Sequence, residues 1–301
     1  MTDNRNAPLP VLGLLLAFLF PHVAHSHSER DPDIRPLIPA AQVRAMRTTP
    51  GGERPVFIDV RSIRAYKAGH VPGALHLSIE ASFEPVGDRS RIVAPETFRR
   101  LFSRLGIKNS DYVIIYDDGR LLNAAHLFWV MEVYAHEKVS VMDGGLAAWL
   151  QAGGKLETRW AARSRSVYVP GMSPHHLSTR LTTRLALDNP DVVIVDSRSP
   201  RQYRGLESRA RRAGHIPGAI NIPAERNIEI EDGAPRVKPQ GELQSLYRAL
   251  GKKRHIIAYC NRGKESALTY LVLRNMGYSV SVYDGAWLEW GNDAVLPIEK
   301  D

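Results

Sequence analysis

Short apolar runs rich in Val and Ile alternate along this chain with longer stretches whose apolar positions recur at helical spacing. Residues 56–60, 113–116 and 139–142 read as strands, and so do residues 192–195, 256–259 and 280–283. Between the last two runs, residues 264–276 put Ala267, Leu268, Leu271, Val272 and Met276 on one helical stripe, and Gly277 suits the left-handed cap that follows. Residues 122–133 are apolar and helical in the same way. Buried strands alternating with helices predict an α/β fold with a mainly parallel sheet flanked by helices on both faces.

The pattern occurs twice. Ile58-Asp59-Val60-Arg61-Ser62 returns as Val195-Asp196-Ser197-Arg198-Ser199, and Tyr66 and Tyr203 follow the two aspartates at one common spacing. Gly69-His70-Val71-Pro72-Gly73-Ala74 returns as Gly214-His215-Ile216-Pro217-Gly218-Ala219, and Asp143-Gly144 with Trp149 returns as Asp284-Gly285 with Trp290. Two similar domains are therefore expected, over residues 36–155 and 175–298, joined by a linker at 156–174 where Arg, Ser, Gly and Pro replace apolar periodicity. The main difference in length is an insertion near residues 205–212, in the second half only.

The repeat works as an internal control: what both halves share serves the fold, and what only one half has is the better candidate for chemistry. By this test His70 and His215 are turn-fixing residues rather than bases. Asp59 with Arg61, and Asp196 with Arg198, read as strand-end ion pairs that are structural, the second pair lying near the site.

The amino-terminal segment stands apart. Arg5 precedes an almost unbroken apolar run over residues 9–20, and Ala24-His25-Ser26 closes it with small residues flanking one position. Residues 1–26 are expected to be a signal peptide, with a mature terminus near His27 and export to the periplasm. The run is too short for a stable membrane span, which needs about 20 residues.

Composition supports a soluble remainder, with 44% hydrophobic and 24% charged residues. The formal net charge of +8 survives loss of residues 1–26, because Asp3 and Arg5 cancel. No nucleic-acid motif accompanies this charge, and attraction of small anionic substrates explains its sign at least as well, beside a solvated basic surface without function. The 301 residues include a single cysteine, Cys260, so no internal disulfide exists. In an oxidising compartment an unpaired thiol is a liability unless its reactivity is used.

At one place the halves diverge chemically. The run ending at Tyr116 leads into Asp117-Asp118-Gly119-Arg120, whereas the run ending at Tyr259 leads into Cys260-Asn261-Arg262-Gly263-Lys264-Glu265-Ser266. A cysteine between a strand's carboxyl end and a helix's amino end meets unpaired N–H groups and the positive end of the helix dipole. Arg262 and Lys264 add full charges and Gly263 lets the loop fold tightly, so a thiolate in an anion cradle is expected. Asp117-Asp118 as a metal pair is weak, since adjacent carboxylates more often belong to a solvated loop.

The paired Val-x-Asp-x-Arg-like strands, the paired Gly-His-x-Pro-Gly-Ala turns and the Cys-x-x-Gly-x-x-Ser loop together resemble a tandem-domain rhodanese over residues 36–298. The resemblance implies an inactive first domain and a second domain whose Cys260 carries a persulfide, cradled by the backbone of Asn261, Arg262, Gly263, Lys264, Glu265 and Ser266. It implies a small anionic sulfur donor, a thiol or cyanide acceptor, and neither metal nor organic cofactor. Thiosulfate-using members have a basic residue two positions after the cysteine, here Arg262, which favours thiosulfate over 3-mercaptopyruvate. Many members also have an arginine six residues after the second aspartate, where this chain has Gln202. Arg201 is the expected substitute for it, with Arg204 and the insertion residues Arg209, Arg211 and Arg212 as alternatives.

Three other readings compete. A cysteine phosphatase needs an arginine six residues after its cysteine, and Ser266 stands there. A non-catalytic sulfur carrier would look much the same in sequence. A purely structural cysteine has no use for two cations and a glycine beside it.

Overall fold

The computed structural model describes residues 34–49, 54–87, 89–118, 120–251 and 255–301, and the expected signal segment lies outside them. Each half forms a five-stranded sheet in which every pairing is parallel. The first runs Leu37–Pro39, Val139–Asp143, Val113–Tyr116, Val56–Asp59, Leu75–His76. The second runs Leu177–Ser178, Val280–Tyr283, His255–Tyr259, Val192–Asp196, Ile220–Asn221 in the same relative order.

Side chains alternate across a strand, so each sheet serves two cores. Val56, Ile58, Val113 and Ile115 face one large apolar cluster, and from the other half Val193, Val195, Ile256 and Val282 face that same cluster. The opposite faces are private: Phe57, Ile114 and Met142 pack with Trp149 in one half, and Ile194, Ile257 and Tyr283 pack with Trp287 and Trp290 in the other. The shared cluster makes the two domains one packed body.

Helices Leu122–Val133 and Lys264–Asn275 fill the space between the sheets and pack on each other. The single apolar stripe expected over residues 264–276 does not describe the second of them. Every residue from Ser266 to Leu273 is buried, because one side meets its own sheet and the other meets the first domain. At this seam Glu132 accepts hydrogen bonds from Tyr270 Oη at 2.5 Å and from Arg274 Nη2 at 3.0 Å.

Two hairpins absent from the sequence reading are exchanged between the domains. Phe83–Val86 pairs with Arg89–Ile92, and the Ile92 N–H donates to Asp284 Oδ1 of the second domain at 3.1 Å. Ile228–Glu231 pairs with Ala234–Val237, and the Val237 N–H donates to Asp143 Oδ1 of the first at 3.0 Å. The repeated Asp-Gly pairs thus receive one another's hairpins.

Residues 156–173 contain no helix or strand, yet they run along the first domain. The Glu157 and His70 backbones pair, Ser166 N–H donates to Ser103, and buried Tyr168 reaches His136 Nδ1 at 3.0 Å. Glu299 pairs with His215 as Glu157 pairs with His70. Among the described residues no helix is long and apolar enough to cross a membrane.

Candidate active site

The repeated motifs form one network built twice. Strand register sets Tyr259 opposite Asp196, and the tyrosine hydroxyl donates to Asp196 Oδ2 at 2.6 Å while accepting the Ile216 N–H. Arg198 clamps Asp196 and donates to the Gly214 carbonyl at 2.8 Å, which fixes the Gly-His turn. His215 stacks on Tyr203 with ring centroids 3.8 Å apart and bonds the Tyr203 carbonyl through Nδ1. Asp59, Arg61, Tyr116, Tyr66 and His70 repeat these contacts in the first domain. The histidines are thereby committed to the turns.

The halves part immediately after the two tyrosines. In the first, Asp117 is buried and its Oδ2 accepts N–H bonds from Asn123 and Ala124 at 3.2 Å each, closing the amino end of helix Leu122–Val133. Asp117 is thus engaged at the helix end through one carboxylate oxygen. Among the described residues no group of three or more His, Cys, Asp or Glu is placed to hold a metal ion.

In the second half Cys260 takes that place, with no exposed surface. Its Sγ accepts the Gly263 N–H at 3.0 Å and the Ser266 hydroxyl at 3.3 Å. Gly263, at φ +103°, turns the chain into helix Lys264–Asn275 in a conformation open to glycine and rarely to other residues. Ser266, where a phosphatase would need arginine, contacts the sulfur directly.

Burial nevertheless pushes the Cys260 thiol up to about 12, and the neighbouring Glu265 carboxylate adds to the rise by its charge and by accepting a hydrogen bond. The Ser266 hydrogen bonds pull the other way and are outweighed. Desolvation of the buried sulfur thus works against the thiolate that the loop's hydrogen-bond donors favour.

The loop's cations lie elsewhere than expected. Lys264 leaves the sulfur and crosses to the first domain, donating from Nζ to Asn123 Oδ1 at 3.0 Å and lying over the Phe83 ring. The helix–helix seam brings that partner within reach. Arg262 is exposed. Arg201, the expected donor ligand, is held by Glu207 at 2.5 Å on the surface, since the insertion supplies a nearby carboxylate. Arg212 is spent on the backbone carbonyls of Leu296 and Trp290.

Beside the loop lies a cleft of about 250 Å³ at the domain boundary. Asn261, Glu265 and Leu268, from the loop and helix that follow the buried cysteine, line it together with Ser197, Arg198, Ser199 and Gln202. Gln202 Oε1 accepts from Asn261 Nδ2 at 3.0 Å, so the position expected for an arginine carries a neutral amide pair. Positive charge comes instead from Arg209 of the insertion and from Arg120 of the first domain, while the Arg198 side chain is buried in its pairing with Asp196. Arg198 Nη1 is buried with no hydrogen-bond partner among the described residues. Sequence reasoning missed Arg120, because only the packing of the domains brings it to this cleft.

A family model described as a rhodanese-like domain matches the chain twice, over residues 40–152 and 181–293. The chain is 35% identical over 255 residues to a Thermus thermophilus protein named sulfur carrier protein TtuD, covering 79% of this chain and 88% of that one. It is 34% identical over 257 residues to a Mycobacterium bovis protein provisionally named thiosulfate sulfurtransferase 1, covering 81% and 91%. The fold matches the rhodanese-fold 3-mercaptopyruvate enzyme SseA from Escherichia coli with a TM-score of 0.73 and 26% identity, covering 84% of this chain and 99% of that one.

Proposed function

The chain belongs to the rhodanese family and is a sulfurtransferase, and from that premise we propose that it moves a sulfane sulfur from thiosulfate to a thiol or cyanide through a persulfide on Cys260. The observation that carries this reading is the substitution of sulfur for carboxylate at equivalent helix amino ends. Where Asp117 sets a carboxylate against backbone N–H groups, Cys260 sets a nucleophilic sulfur against the Gly263 N–H.

In the loading step the Cys260 sulfur attacks the outer sulfur of the donor, and its proton leaves with the departing sulfite as bisulfite. A new S–S bond forms, the donor's own S–S bond breaks, and the electron pair leaves on sulfite. The persulfide anion accepts the Gly263 N–H and the Ser266 hydroxyl. An acceptor then attacks the outer sulfur, leaving as thiocyanate or as its own persulfide, and Cys260 regains its proton. Arg209 holds the donor's anionic end in the cleft, with Asn261 and Gln202 beside it.

Incubation with thiosulfate should add one sulfur to the intact mass of the wild type and none to Cys260→Ala. Cyanide should then release thiocyanate from the loaded protein only. An unchanged wild-type mass, or equal thiocyanate release by both proteins, refutes the reading. An adduct that turns over with 3-mercaptopyruvate and not with thiosulfate reassigns the donor, and an adduct that no acceptor discharges marks a carrier. Residues 1–26 direct export in the same proposal: protein recovered from the periplasm should begin near His27, and an intact Met1 on that protein refutes cleavage.

A further inference from the structure

We propose that Arg120, from the domain that lacks the thiol, binds the anionic group of the substrate that occupies the cleft beside the Cys260 loop. The inference rests on the sulfurtransferase reading and adds a specificity residue contributed from outside the catalytic half.

Arg120 and Leu122 are the first domain's share of the cleft lining, which the second domain otherwise supplies. Arg120 is exposed and makes no ion pair or hydrogen bond among the described residues, although Glu225 and Glu265 line the same cleft. Its guanidinium is therefore available to a ligand. Its neighbours are tied down. Asp117 caps the helix that follows, and Asn123 holds Lys264 at 3.0 Å, so the loop bearing Arg120 is clamped to the loop bearing Cys260.

A second cation faces the same space. Arg209, from the second-domain insertion, is exposed and lines the cleft with no ion pair or hydrogen bond among the described residues, whereas the Arg198 side chain is fully buried against Asp196 and the Trp287 ring. Two guanidinium groups without carboxylate partners suit an oxyanion between them. Arg120 and Arg209 then hold one oxyanion from two domains, a role that the neutral Gln202 cannot fill.

The group is an oxyanion, either the sulfonate end of a donor or the carboxylate of a thiol acceptor. Steady-state kinetics of Arg120→Ala separate the two sources. If the donor is bound, KM for thiosulfate rises about 10-fold, the size expected for losing one charge-assisted hydrogen bond. If the acceptor is bound, KM rises for 3-mercaptopropionate and stays at the wild-type value for uncharged 2-mercaptoethanol. In either case Arg120→Lys should recover part of the loss, and Arg184→Ala, whose arginine is paired with Asp188, should behave as wild type. Wild-type KM values for all three substrates in Arg120→Ala overturn the proposal.

Sulfite binding, followed by isothermal titration calorimetry, tests the site without turnover. Weakening of about 10-fold in Arg120→Ala supports the assignment even if Cys260 loads no sulfur. Equal sulfite affinity together with normal persulfide loading removes Arg120 and leaves the sulfurtransferase reading intact.

Discussion

The Gly263 N–H points at the Cys260 sulfur from 3.0 Å, and it does so because Gly263 sits at φ +103°. A side chain at this position would meet only Trp129 Cζ3, at an ordinary 3.9 Å, so the cost of replacing the glycine is backbone strain alone. Gly263→Ala should lose roughly 1–3 kcal/mol of stability and load persulfide more slowly. Gly241→Ala, in helix Gln240–Leu246 with open space around its Cα and no left-handed backbone, should instead gain up to about 1 kcal/mol. Urea midpoints of the two variants check the opposite signs.

Thiol reactivity should track the buried state of Cys260. Burial and Glu265 hold its pKa up at about 12, so iodoacetamide labelling should keep accelerating through pH 9–10, with no plateau near the free-cysteine value of about 8.5. Glu265→Gln removes the negative charge that favours the thiol and should move the labelling profile to lower pH. A wild-type plateau at or below about pH 8.5 contradicts this account.

Domain contact should weaken as Asp284 ionises. Burial raises this carboxyl to about 6, against the partial relief of the Ile92 N–H and Arg91, whereas the unfolded chain titrates near 3.9. Between these values the folded protein keeps a proton that the unfolded chain has lost. The stabilisation is complete below about pH 4 and is lost as pH rises through about 6. Asp284→Asn still accepts the Ile92 N–H and carries no charge. The stability difference between variant and wild type should therefore shift in the variant's favour across that window and level off above it. Thermal melts from pH 4 to pH 7 measure this directly.

The seam between the domains depends on Glu132. Replacing it with alanine strands Arg274 and the Tyr270 hydroxyl at a buried interface, and should cost about 3–5 kcal/mol, the range for breaking a buried ion pair. Glu132→Leu with Arg274→Leu removes both charges and should recover much of that loss. Chemical denaturation of the single and double variants tests the pairing.

Sequence alone carried the architecture a long way, because what it shows best is local and repeated. The Asp-x-Arg strand ends, the Gly-His turns and the following tyrosines have to meet within one domain, and strand register closes them into the Tyr259–Asp196–Arg198 network and its first-half copy. The thiol's place also followed from local order, as the one strand-to-helix turn in the repeat with a cysteine in place of Asp117.

What required the tertiary structure was every relation that crosses between the halves. Strand and helix periods do not say which sheet face will be shared, so the exchanged hairpins at Asp143 and Asp284 were invisible, as was the burial of helix Lys264–Asn275 on all sides. The same holds for charge. Proximity in sequence assigned Lys264 and Arg201 to the site, whereas Asn123 and Glu207 draw them away and Arg120 arrives from the other domain. The setting of Cys260 was decided there too: a loop rich in cations favours a thiolate, and complete burial between two packed domains works against it.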